Sequence, residues 1–120
     1  MERCSGTENS ESLKSEVIAA WREGSPEARE KYCRWLEAKE SEIESERDPA
    51  KYRLKQIELN IERGDIFTQA KMANIAQDQY LEAISQLEQE IGIPESTPNK
   101  IKRETINLLL GKTKQKLSSL

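Results

Sequence analysis

Ile66, Ala70, Ala73, Gln77, Tyr80, Ile84, Leu87 and Ile91 follow one another at alternating steps of four and three residues. An α-helix of 3.6 residues per turn gathers all eight on one face, whereas a strand would scatter them over both of its sides. The stripe predicts a long helix over 66–91 that turns a seam toward a neighbouring helix. It specifies a contact, not a reaction. Gln77 is the polar residue of that seam and has two readings, a residue that fixes register or oligomeric state at some cost in stability, or one that lies at a wet edge.

Local punctuation divides the remainder into helices. Ser10 is placed to cap a first helix that carries Leu13, Val17, Ala20 and Trp21 on one face and ends at Gly24. Ser25 and Pro26, then Asp48 and Pro49, each pair a capping side chain with proline at the first helical position. The second helix carries Ala28, Tyr32, Trp35, Leu36 and Ile43, and the third Ala50, Leu54, Ile57 and Ile61. Leu36, Ile43, Ala50 and Ile57 keep a seven-residue phase across Pro49, so one kinked rod competes with two helices, a short break being the preferred reading. Gly64 and Asp65 read as a stop followed by a new cap. Tyr52 and Leu59 on the third helix, and Met72 and Ile75 on the fourth, lie off the main faces, which suits helices with neighbours on two sides.

The fold class that follows is all-α, an antiparallel helical hairpin or bundle with a long fourth helix and coiled-coil-like packing. Residues 1–9 are polar and without periodicity, and read as a disordered segment. Residues 10–95 form the bundle, with helices at about 10–23, 26–47, 49–63 and 66–91. Residues 96–120 form a C-terminal helix opened by Thr97 and Pro98, with Ile106, Leu109, Leu110, Thr113, Leu117 and Leu120 on one side and Gly111 weakening its middle.

Thr68, Gln69, Met72 and Ala73, with Ile84 and Ser85, resemble a helix-turn-helix of the phage repressor type. Gln77 stands where that motif has its turn glycine, and the spacing to Ile84 is one residue too long. Asp78, Tyr80, Ala83, Ile84 and Leu87 are similar to the second helix of a tetratricopeptide repeat, without a second copy of the period. Neither resemblance assigns a family.

Charge and chemistry narrow the function. The chain has no histidine, which removes the commonest general base, the commonest metal ligand and the imidazole triads. The carboxylates between Glu37 and Asp48 lie in a helical pattern with no glycine-bearing loop, and they read as a solvated face, so neither a metal nor any other cofactor is expected. Cys33 has only Arg29 and Arg34 near it in sequence to activate a thiol. The five glycines are isolated, so no phosphate-cradling loop exists. A non-enzymatic protein is expected. With no apolar run of about eighteen residues and no secretory leader, a cytoplasmic chain that neither spans nor anchors to a membrane is the expectation.

At 120 residues, with 34% charged residues and only one Phe, three Tyr and two Trp, the monomer's core is thin. Pairing with another copy adds burial, so a homodimer or larger homo-oligomer is expected, working as an adaptor, scaffold or assembly factor that presents a helical surface to a protein partner. Trp21, Trp35, Phe67, Met72 and Ile75 are the candidate contacts, since large apolar groups on a thin-cored helical chain gather at interfaces. The charge is uneven: residues 1–95 hold 13 Lys and Arg against 21 Asp and Glu, and residues 96–120 hold 6 against 1. Docking of the basic helix on the acidic body is the preferred reading of that asymmetry. The alternative is a nucleic-acid-associated factor gripping phosphates through Lys100, Lys102, Arg103, Lys112, Lys114 and Lys116.

Overall fold

The computed structural model describes residues 10–94 and 96–120; the segment expected to be disordered, and Cys4 within it, lie outside the described residues. Five helices follow one another, α1 (Ser10–Arg22), α2 (Ala28–Glu44), α3 (Pro49–Gln69), α4 (Ala73–Ile91) and α5 (Arg103–Ser118), with no strand among the described residues. The chain is an all-helical bundle. α1 packs on α2, α3 on α4 and α4 on α5, and the α1–α2 pair meets the rest through α3. Short connections make α1–α2 and α3–α4 antiparallel, and the longer connection over 92–102 returns α5 so that Lys116 near its end meets Asp65 beside Tyr80 near the start of α4; α3 and α5 therefore run in the same direction on either side of α4. The backbone spans 48 × 36 × 15 Å, a flat slab.

Two apolar clusters share α3. Ile57, Ile61 and Phe67 point toward α4 and α5, where they meet Ala76, Tyr80, Ala83, Leu87, Ile101 and Ile106. Leu59 and Ile66 point the other way, into Leu13, Val17, Trp35 and Ile43. Tyr52 packs on this second cluster, so the off-face pair Tyr52 and Leu59 does mark a helix with neighbours on both sides. An aromatic group joins the halves: Trp21 lies 5.2 Å from both Tyr32 and Phe67 between ring centroids, and Tyr32 lies 5.3 Å from Phe67 and 5.9 Å from Trp35. Tilted and offset rings at these separations add to the burial of their area.

Asp48 caps α3 as its position before Pro49 implies, its Oδ1 accepting from the amides of Ala50 at 2.9 Å and Lys51 at 3.3 Å. α2 and α3 are accordingly two helices with a short break. At the end of α1, Gly24 takes φ +71, and the Ser25 amide reaches back to the Ala20 carbonyl at 2.9 Å, the glycine stop that the sequence implies.

The fourth helix differs from expectation. Gly64 and Asp65 lie inside α3, which runs on to Gln69, and the corner falls at residues 70–72. There the Met72 amide bonds the Phe67 carbonyl at 2.8 Å and the Lys71 amide that of Thr68 at 3.1 Å, with Lys71 at φ 66. These two bonds form a Schellman stop built on lysine. Because three residues at this corner leave the helix, the four-three rhythm does not cross it: Ile66 and Ala70 belong to α3 and its cap, while Ala73 and Gln77 are exposed. The buried face of α4 is Ala76, Tyr80, Ala83, Ile84, Leu87 and Glu90. Gln77 is exposed, at a wet edge and not within a buried seam.

Two starts also move. α2 begins at Ala28, since the Ala28 amide first closes a turn on the Ser25 carbonyl at 3.2 Å. α5 begins at Arg103 instead of Pro98, because Asn99 adopts φ 59 and its carbonyl is taken by Arg53 Nη2 at 2.8 Å. Gly111 passes through α5 without breaking it. The expected side of α5 faces the bundle: Ile106 and Thr113 are buried and Leu109, Leu110 and Leu117 half-buried, with Leu120 exposed at the end.

Candidate functional site

The best-formed depression, a cleft of ≈ 520 Å³, lies where the C-terminal halves of α3 and α5 flank the start of α4. Gly64 places the chain for it. Without a Cβ there, α4 approaches close enough for the Tyr80 ring to lie on the α3 backbone. The Tyr80 hydroxyl then donates to Asp65 Oδ1 at 2.6 Å and lies 3.2 Å from Thr68 Oγ1, which itself donates to the Gly64 carbonyl at 2.8 Å. From α5, Lys116 Nζ donates to both Asp65 oxygens at 2.9 Å. One carboxylate thus ties three helices.

Electrostatics follow from this packing. Burial, and then the hydrogen bond to the Asp65 carboxylate, push the Tyr80 phenol well above the ordinary tyrosine range. It stays a neutral donor near pH 7, and it cannot supply a phenolate. The Asp65 oxygens are occupied by the tyrosine and the lysine, so the exposed side chains the cleft still offers a ligand include Gln69 on α3 and Lys112 and Gln115 on α5, while the Ser119 hydroxyl just past α5 donates to the Gln115 carbonyl at 3.0 Å. Among the described residues, no cluster of three or more His, Cys, Asp or Glu is arranged to hold a metal ion. Cys33 is exposed on α2.

A second cleft, ≈ 340 Å³, continues between α3 and α5 and is lined by Glu58, Ile61, Glu62, Leu109, Lys112 and Lys116. The two share Lys112 and Lys116 and so form one groove. Its α3 wall is acidic and its α5 wall basic.

The candidate contact residues separate into two sets. Trp35 and Phe67 are interior, 0% and 6% exposed, and pack the core of one chain, whereas Trp21 is half-buried in the same aromatic group and keeps part of its ring at the surface. The reason is the α1–α2 hairpin, whose aromatic face needs α3 to cover it. Met72 is half-buried at the α3–α4 corner against the Ile57 cluster. Ile75 is 39% exposed on the outer side of α4.

The six cations of the basic segment do not form one stripe. Lys116 is paired with Asp65, the Lys100 ammonium is buried, and Lys112 and Lys114 project to different sides of α5. Lys102 and Arg103 are exposed at the start of that helix. Sequence reasoning missed Gly64, Asp65, Thr68 and Tyr80 as a group. The signal was present in their spacing: Gly64 and Tyr80, Asn60 and Gln86, and Arg53 and Glu90 straddle the corner at residues 70–72 nearly symmetrically.

These features define an all-helical bundle with a charged groove, and no described helix is long and apolar enough to cross a membrane. No family model, curated protein or solved structure matches the chain.

Proposed function

We propose that this chain is a non-enzymatic helical interaction module that acts as a homo-oligomer in the cytoplasm, serving as an adaptor, scaffold or assembly factor for a protein partner. One observation carries the reading: the buried side of the best-formed cleft is an Asp65 carboxylate engaged by Tyr80 and Lys116, so these three groups hold helices together and are not presented to a substrate. The lack of histidine anywhere in the chain supports the same conclusion. The flat slab adds a further argument, since a thin bundle exposes much of its helix surface and gains by covering it.

The phosphate-binding alternative draws little support from the basic helix. Three of its six cations, Lys102, Lys112 and Lys114, are exposed without a neighbour that engages them, and Lys112 and Lys114 face different directions. The proposal is tested by absolute mass from light scattering after size exclusion, at low and at high salt. A dimer or larger species supports it, and a monomer at every concentration removes the homo-oligomer. Nucleic-acid affinity that falls when residues 96–120 are deleted would favour the alternative.

A further inference from the structure

The groove between α3 and α5 has an unusual distribution of charge. Glu58 and Glu62 lie on the α3 wall, Lys112 and Lys116 on the α5 wall, and Ile61 and Leu109 between them. Two of these four charges are satisfied within the chain: Glu62 pairs with Lys39 at 3.0 Å and Lys116 with Asp65 at 2.9 Å. Glu58 and Lys112 are exposed on opposite walls and do not pair with each other. We infer that this groove is where two copies of the chain meet, about a two-fold axis parallel to α3 and α5, so that each acidic α3 wall lies on the basic α5 wall of the other copy.

Geometry selects that arrangement. α3 and α5 run in the same direction on either side of α4 and form the two walls of the groove, so a two-fold axis along them exchanges the walls while preserving height along the helices. Glu58 of one copy then meets Lys112 of the other, since both line the same stretch of groove. A two-fold axis perpendicular to the helices would set Glu58 and Glu62 against acidic residues, and like charges brought together at an interface are unfavourable. A uniformly acidic or basic partner would match one wall and be repelled by the other. A second copy carries both signs in the required order. Burial first and the Glu62 charge second raise the Glu58 carboxyl above its ordinary range, outweighing the nearby Lys39 and Lys55. Leu120, 42% exposed at the end of the groove, supplies apolar surface for the same contact.

This inference rests on the homo-oligomer proposed above, and charge reversal separates the two. Sedimentation equilibrium is compared for the wild type, Glu58→Lys, Lys112→Glu and the double variant, with helix content by circular dichroism confirming that each is folded. Each pair occurs twice in a two-fold dimer, so either single reversal should raise the dimer Kd by about tenfold or more, and the double reversal should restore it to near the wild-type value. A wild-type dimer indifferent to all three variants would place self-association elsewhere and overturn the groove alone. Loss in the singles without recovery in the double would also overturn it, because the two charges would then not face each other. A wild type that stays monomeric overturns both readings.

Discussion

Gly64 and Tyr80 approach so closely across the α3–α4 contact that a Cβ added to the glycine would lie 2.7 Å from Tyr80 Cδ1 and 2.8 Å from Cζ. The ring is 1% exposed and has little room to move. A glycine in mid-helix, ordinarily a weakness, is here the condition for two helices to touch and for the tyrosine hydroxyl to reach Asp65.

Replacing Gly64 with alanine should therefore destabilise the protein even though alanine is the better helix former. Overpacking against a buried ring costs about 1–3 kcal/mol, partly offset by about 1 kcal/mol of helix propensity. Gly111 is the control, lying in α5 with nothing within 4 Å of an added Cβ. There the same substitution should stabilise by about 0.5–1 kcal/mol. Urea unfolding of the two variants should move the midpoint in opposite directions, and equal shifts would refute the close contact.

Alkaline pH should weaken the fold through Tyr80. Its folded-state pKa is raised, by burial first and the Asp65 bond second, whereas an unfolded chain releases the phenolic proton near about pH 10. Below that pH the stabilisation is fully present. Above it the unfolded state binds fewer protons than the folded one, so stability falls as pH rises. Thermal melts between about pH 9 and 11.5 should show a steeper decline for the wild type than for Tyr80→Phe. Parallel declines would assign the loss to other groups, such as Tyr32, whose pKa burial also raises.

The contrast between Gly24 and Lys71 explains how far the sequence could be read. Both residues adopt left-handed backbone at a helix stop, φ 71 and φ 66. Glycine announces that conformation by its chemistry, and α1 was legible to its end; lysine does not, and the corner at 70–72 was displaced to the nearest glycine. Asp48 was legible for the same reason, as a cap that acts through neighbouring amides. Non-local relationships were not. The aromatic character of Trp35 and Phe67 was plain, but whether an interface or their own chain covers them depends on how α1 and α2 fold onto α3. The docking face of α5 was readable from its apolar spacing, whereas the ion pair of Lys116 with Asp65 depends on where α5 lies along α3.

Lys71 itself offers a stabilising change. A side chain in the left-handed region is strained by roughly 1 kcal/mol or more, and glycine relieves this while adding some freedom to the unfolded chain. Lys71→Gly should gain about 0.5–1 kcal/mol, whereas Lys71→Ala, which keeps the Cβ, should not. Comparison of the two melting temperatures isolates the backbone effect from the removal of a charge.

Arg53 and Glu90 set the far end of the α3–α4 contact, opposite the corner. Glu90 is 7% exposed and receives Arg53 Nε at 2.9 Å and Nη2 at 3.3 Å, while Nη2 also holds the Asn99 carbonyl at 2.8 Å. Arg53→Ala would leave a buried carboxylate without its partner, a change that costs about 3–5 kcal/mol in a dry interior. The Arg53 side chain is 35% exposed, so water reaches the vacated place and a loss of about 2 kcal/mol is expected. Replacing both partners, as Arg53→Met with Glu90→Leu, removes the unpaired charge and should recover most of that loss. Urea midpoints of the three proteins decide between two roles for the arginine. Recovery in the double variant means that it chiefly neutralises Glu90. A double variant as unstable as Arg53→Ala means that it chiefly fastens the Asn99 turn, and proteolysis should then cut the connection between α4 and α5 first.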